Sequence, residues 1–170
     1  MPGLASLRQV EQDYAPNGEQ RPLGGYLVTM GAYGTYVGAL VAAAALTGRR
    51  APERVAAADL ALFSVATHKL ARVITKDSIT SPLRAPFTRY SGVGGPAELN
   101  EEVRHAGGIR HSLGELLTCP FCIGMWISTS FSAGLVFAPR MTRLVASTLT
   151  ALAASDFLHF AYAKTYSSAE

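Results

Sequence analysis

The sequence predicts an all-α fold, an integral membrane helical bundle of about four transmembrane helices with a long loop between the second and the third. Two observations carry this. Charged residues make up 16% of the 170 residues and hydrophobic ones 49%, whereas an ordinary soluble domain has about 25% charged residues. The apolar residues also gather in long blocks rather than at amphipathic spacing, and mean hydropathy is positive at +0.20. Together these argue against disorder, a coiled coil and a charged nucleic-acid module. No repeat of solenoid length is present.

The first span is expected near residues 23–47. Leu23 to Thr47 is a run of 25 residues without a charge, and at about 1.5 Å per residue it crosses a hydrocarbon core of about 30 Å with room for tilt. Glu11, Asp13 and Glu19 precede it, and the run exceeds the roughly 7 to 15 residues of a signal-peptide core, so a cleaved leader ending at Ala42 to Ala45 is the lesser reading. Gly34, Gly38 and Ala42 form a small-residue stripe. Such a stripe lets another backbone approach closely in lipid, and packing within the chain is expected ahead of dimerisation.

The second span is expected near 55–74, after the turn-like Gly48-Arg49-Arg50-Ala51-Pro52, and it is the most polar of the four. Asp59 lies near its start, either solvated or capped by Arg54, and His68 and Lys69 lie near its end. Lys69 and Arg72 can keep their stems in lipid and their heads at the interface. The third span is expected near 120–138, where Pro120 suits a first helical position and Pro139 ends the run. The fourth is expected near 141–163, interrupted by Asp156 and His159. These two share a helix face, are costly to leave toward lipid, and are expected to point inward, with Lys69 or His68 as the natural partner.

What remains is a polar arm at 1–22, a tail at 165–170, and the central loop at 75–118. That loop is too long for a simple connector. Pro82, Pro86 and Gly92-Val93-Gly94-Gly95-Pro96 mark its first half as irregular, and Ile109 to Leu117 suits a short amphipathic helix. Leu83, Phe87 and Tyr90 among Arg84 and Arg89 point either to headgroup contact or to a solvated loop.

Four spans place both termini and the central loop on one side. That side holds 8 basic residues against 5 on the other, or 10 to 5 if Lys69 and Arg72 reach toward it. The positive-inside bias then makes it cytoplasmic in a bacterial cell membrane. The same alternation gathers the chemistry-bearing residues at one face: His68, Lys69, Arg72 and Asp77, then Glu115, Cys119 and Cys122, then Asp156 and His159.

Cys119-Pro120-Phe121-Cys122 is a C-x-x-C motif at a predicted helix start, where unpaired N–H groups and the helix dipole favour a thiolate on Cys119. Three readings of the pair stay open. One is thiol–disulfide exchange, with Cys119 attacking, Cys122 resolving and a quinone or a partner disulfide as acceptor. A second is half of a zinc shell completed by His105 and His111, although that order departs from finger-like spacing. The plainest is two small apolar side chains packed where a helix enters the membrane. A P-loop, G-x-S-x-G, H-E-x-x-H and a dinucleotide fingerprint are all missing from the sequence, so an enzyme of a familiar soluble kind is not expected. No bound cofactor is expected outside the quinone and zinc alternatives, and nucleic acid is not expected because a net charge of +3 spread over several loops fits topology and anionic headgroups better.

The ordered stretches His68-Lys69-Leu70-Ala71-Arg72-Val73-Ile74-Thr75-Lys76-Asp77, Ser81-Pro82-Leu83-Arg84-Ala85-Pro86-Phe87 and Gly114-Glu115-Leu116-Leu117-Thr118-Cys119-Pro120-Phe121-Cys122-Ile123-Gly124-Met125-Trp126 resemble the uncharacterised bacterial membrane family catalogued as domain of unknown function 1360, some of whose members are labelled sporulation-related. The resemblance covers roughly residues 55 to 163. It implies a framework of Arg72, Asp77, Pro82, Arg84, Cys119, Cys122, Gly124 and Trp126, in which Arg72 and Asp77 clamp the loop to helix ends and Trp126 sits one turn beyond Cys122. It brings no established activity. The expected function is therefore that of an accessory or scaffold protein whose central loop meets a protein partner, with the membrane thiol protein as alternative. The oligomeric state stays open.

Overall fold

The computed structural model describes residues 7–15, 21–104 and 107–167. Its helices are α1 (Leu7–Tyr14), α2 (Leu23–Leu46), α3 (Ala57–Thr75), α4 (Ser81–Arg84), α5 (Gly108–Thr118), α6 (Pro120–Phe137) and α7 (Pro139–Ser167), with a 3-10 turn at Ser78–Thr80. Helices dominate, as the composition demands. The expected loop at 75–118 also carries a two-stranded antiparallel hairpin, β1 (Thr88–Val93) and β2 (Leu99–Val103). Three helices, α2, α6 and α7, are long and apolar enough to cross a membrane. The 19-residue α3 carries Asp59, Lys69 and Arg72 and does not stand with them on composition.

Two boundaries move from their expected places. The polar arm contains α1, and α7 begins at Pro139 itself and continues through Ser167. Pro139 occupies a first helical position, where a missing N–H costs nothing, so one proline both stops α6 and starts α7.

The chain divides into two compact units. The first comprises Met1–Gly38 and Thr75–Cys119, the second Ala39–Ile74 and Pro120–Glu170, with one division falling inside α2.

In the first unit the hairpin, α4 and α5 enclose a polar centre. β1 and β2 pair from Thr88↔Val103 to Val93↔Leu99, with a bulge between Tyr90 and Gly92, and the Gly-Gly-Pro stretch turns the chain through Gly94 N–H to Glu98 C=O at 2.9 Å. Gly114 on α5 meets this hairpin so closely that a Cβ there would lie 2.7 Å from Val103. Gly25 on α2 is buried against α5, where a Cβ would lie 2.5 Å from the Gly108 carbonyl. Glycine is required at both positions because backbone, not a flexible tip, or a branched side chain stands in the way. The small-residue stripe does not behave as expected: within its own unit, a Cβ added at Gly34 or Gly38 meets nothing within 4 Å. The close approach on this helix is made about two and a half turns before Gly34, at Gly25.

The second unit has the apolar core. Phe63, Ala66 and Ala71 of α3 bury with Ile127 and Phe131 of α6 and Ala146 of α7, and the Phe63 and Phe131 rings stack with centroids 5.3 Å apart. Small residues at these crossings let the backbones close up, as is usual where lipid offers no hydrophobic drive between helices. Gly134 lies directly against Thr142, tightening the α6–α7 turn.

Candidate functional site

Each unit contains an ionic arrangement, and the two differ in construction. In the first unit, Arg84 is wholly buried, 0% exposed, and Glu101 nearly so at 6%. Arg84 donates from Nε to Glu101 Oε2 at 2.8 Å and from Nη2 to Oε1 at 3.0 Å, a two-pronged pairing. Its remaining N–H groups reach Thr80 Oγ1 at 2.7 Å and the Asp77 carbonyl at 2.9 Å. Thr88 donates to Glu101 at 2.9 Å. A buried guanidinium is tolerable only when its donors are met in this way. Burial by itself pushes the Glu101 carboxyl upward, but the hydrogen bonds from Arg84 and Thr88 and the charge on Arg84 outweigh it and hold the group below its usual range.

This placement corrects the expectation of Arg84 as a headgroup-facing cation. The short helix α4 turns Arg84 inward while its neighbour Leu83 is 62% exposed. The sequence showed an arginine among apolar residues; it did not show Glu101, supplied by β2. The Leu-Asn-Glu-Glu-Val pattern of that strand was the available signal, alternating toward and away from α4.

The same unit holds a second polar group around α5. Glu115 accepts from Arg21 Nη1 at 3.2 Å and lies 3.5 Å from His111 Nε2, with the Tyr26 hydroxyl against Glu115 and Arg21. His111 is buried, and its Nδ1 has no hydrogen-bond partner. His105 lies outside the described residues. Among the described residues, no three His, Cys, Asp or Glu side chains gather as a metal site, and His111 Nε2 faces Glu115.

In the second unit, three contacts tie α3 to α7. Asp59 receives two hydrogen bonds from Arg143, at 2.8 and 2.7 Å. Thr150 donates to the Leu62 carbonyl at 3.2 Å. Lys69 donates to Asp156 at 2.6 Å. The Asp59 partner is thus Arg143 and not Arg54, because a residue of α7 brings its fork to the first turn of α3. The sequence separations of the three pairs are 84, 88 and 87. A nearly constant separation means that α3 and α7 run in the same direction, side by side.

His68 and Arg72 are exposed. His159, expected to point inward with Asp156, is also exposed, while Asp156 is half-buried against Lys69. Asp77 contributes its backbone carbonyl to Arg84, and pairs with Glu98 through an isolated backbone bridge. The first unit ends at Cys119, a half-buried thiol in extended conformation after α5. Cys122, an exposed thiol, and half-buried Trp126 lie one turn apart on α6.

A family model described as Protein of unknown function (DUF1360) matches residues 62–162. Over 70 residues the chain is 34% identical to Sporulation protein YjcA of Bacillus subtilis (strain 168), covering 39% of this chain and 58% of that protein. The chain thus spans little more than half the length of the curated relative it matches. No solved structure matches it.

Proposed function

The chain belongs to the DUF1360 family of proteins of unknown function, and on that premise we propose that it is a four-span bacterial membrane scaffold whose working surface is the folded segment 75–119. The observation that carries the reading is the parallel alignment of α3 with α7 through Asp59–Arg143, Leu62–Thr150 and Lys69–Asp156. A helix of 19 residues is about 28 Å long, close to the hydrocarbon thickness. Its acidic and basic groups are costly in lipid when alone and far less so when each meets an opposite charge on a neighbour. Pairing with α7 therefore supports α3 as the fourth span, with the N- and C-termini and segment 75–119 on the cytoplasmic side.

The scaffold reading follows from how the charges are used. Arg84 and Glu101, Asp59 and Arg143, and Lys69 and Asp156 each serve another residue of the same unit. They hold a shape, and that shape is what a protein partner would recognise. A photo-crosslinking residue at Glu102, on the exposed side of β2, tests this in cells. A defined protein adduct is expected that survives Cys119→Ser with Cys122→Ser and disappears in Arg84→Ala while the chain stays in the membrane. An adduct that depends on the thiols and ignores Arg84 would overturn the reading in favour of thiol–disulfide exchange.

A further inference from the structure

The segment from Lys76 to Pro86 is built inside out. Its buried side is polar: Arg84 with the Thr80 hydroxyl, the Asp77 carbonyl and the Ser81 hydroxyl. Its outer side is apolar: Ile79 is 82% exposed and Leu83 62%, with Pro82 and Pro86 exposed beside them. Ile79 and Leu83 stand four residues apart across the 3-10 turn and α4, hence on one side. Large apolar side chains outward over an enclosed guanidinium reverse the usual order of a surface in water, and a contiguous apolar patch of this kind is a mark of a membrane or protein contact.

We infer that Ile79, Pro82 and Leu83 form an interfacial foot that inserts into the headgroup and upper acyl region of the bilayer. The inference rests on the reading of α3 as a span, and chain length supplies the reason for choosing lipid as the occupant. Ile79 follows the last residue of α3, Thr75, by four residues, so it lies within about 14 Å of that helix end whatever the path between them. Basic groups flank the patch: Lys76 begins the segment, and Arg110 donates to the Pro86 carbonyl at 3.1 Å. Cations beside a shallow apolar wedge suit an anionic leaflet.

The chain has one tryptophan, Trp126, which makes fluorescence depth measurement direct. The full chain is reconstituted in vesicles of phosphatidylethanolamine and phosphatidylglycerol carrying bromine at shallow or deep acyl positions. Trp126→Phe then serves as background for Leu83→Trp, Ile79→Trp and Glu102→Trp. Shallow bromine is expected to remove about half of the Leu83→Trp and Ile79→Trp emission and little of the Glu102→Trp emission, as for a side chain about 5–10 Å below the headgroups. Two foot variants guard against one that fails to fold. Quenching of native Trp126 with no quenching at either foot position, and full access there to aqueous acrylamide, overturns the foot and leaves the spans intact. Shielding from both bromine and acrylamide overturns it in favour of a protein cover. Absence of quenching at Trp126 itself overturns the spanning reading and the foot with it.

Discussion

The Arg84–Glu101 pair and the Lys69–Asp156 pair use the same chemistry in opposite ways. The first is sealed, with side chains 0% and 6% exposed, and is surrounded by further hydrogen bonds. The second is open, at 19% and 45%, and stands as one of three isolated contacts along a helix pair. Sealing makes the first pair the centre of its unit: among the described residues no buried apolar cluster lies there, and the hairpin, α4 and the 3-10 turn all converge on one guanidinium. Openness makes the second pair a register mark between α3 and α7, in a unit whose core of Phe63, Phe131 and small residues already holds its helices together. A charge can therefore be the core of a small polar unit or an alignment pin in an apolar one, and its surroundings decide which.

The sharpest way to break this contrast is Arg84→Ala. It leaves the Glu101 carboxylate buried without its partner, a loss of about 3–5 kcal/mol for a pair of this kind. Limited proteolysis should then cut within 75–104 while α6 and α7 stay protected. Arg84→Lys should recover part of the loss at most, because an ammonium cannot reproduce the two-pronged geometry.

Gly25→Ala comes next, since its Cβ would press on the Gly108 backbone. Overpacking of this sort costs about 1–3 kcal/mol. Gly38→Ala, on the same helix with open space around it, should leave thermal stability in detergent unchanged, and the two variants together separate a packed glycine from an unpacked one.

Lys69→Ala should be milder, about 1 kcal/mol, in line with polar contacts between membrane helices. For the Asp59–Arg143 pin the informative experiment is exchange. Asp59→Arg alone should lower the yield of folded protein in the membrane, and adding Arg143→Asp should restore much of it. Equal damage from the single and the double variant would show that the two residues do not act as a pair.

A pH response is expected from the sealed pair. The Glu101 carboxyl is held below its ordinary value near 4.5 in the folded state, so its contribution is fully present above that value and is lost as pH falls through the lower folded value. Protease resistance of 75–104 should thus hold at pH 6, decline below about pH 4.5, and decline no further in Glu101→Gln, which has no carboxylate to protonate. The smallest effect is expected from Cys119→Ser with Cys122→Ser, which should leave insertion and abundance nearly unchanged on a membrane-fraction blot.

The contrast also explains what could be read in advance. The long apolar helices α2, α6 and α7 were legible because a membrane-crossing helix demands a long run with few charges, and that demand is written locally. Pro120 likewise announced the start of α6. The hairpin was not legible: the bulge between Tyr90 and Gly92 interrupts the alternation of β1, and Gly92 to Pro96 reads as loop unless both strands are already known. Arg84 was misjudged because Leu83 and Phe87 make its neighbourhood look like a membrane surface, while its partner lies 17 residues away. Asp59 reads as solvated or capped by nearby Arg54 for the same reason, since nothing local points to a residue 84 positions on. Ion pairs closed by tertiary structure carry no sequence spacing of their own.

The central claim is that α3 crosses the membrane parallel to α7. It is tested most directly by placing single cysteines at Ala51, before α3, and at Glu98, after it, in a Cys119→Ser, Cys122→Ser background, and treating intact cells with a membrane-impermeant maleimide. The account predicts that Ala51→Cys is labelled and that Glu98→Cys is labelled only after the cells are opened. Labelling of both positions in intact cells, or of neither, would place the two ends of α3 on one side and contradict it.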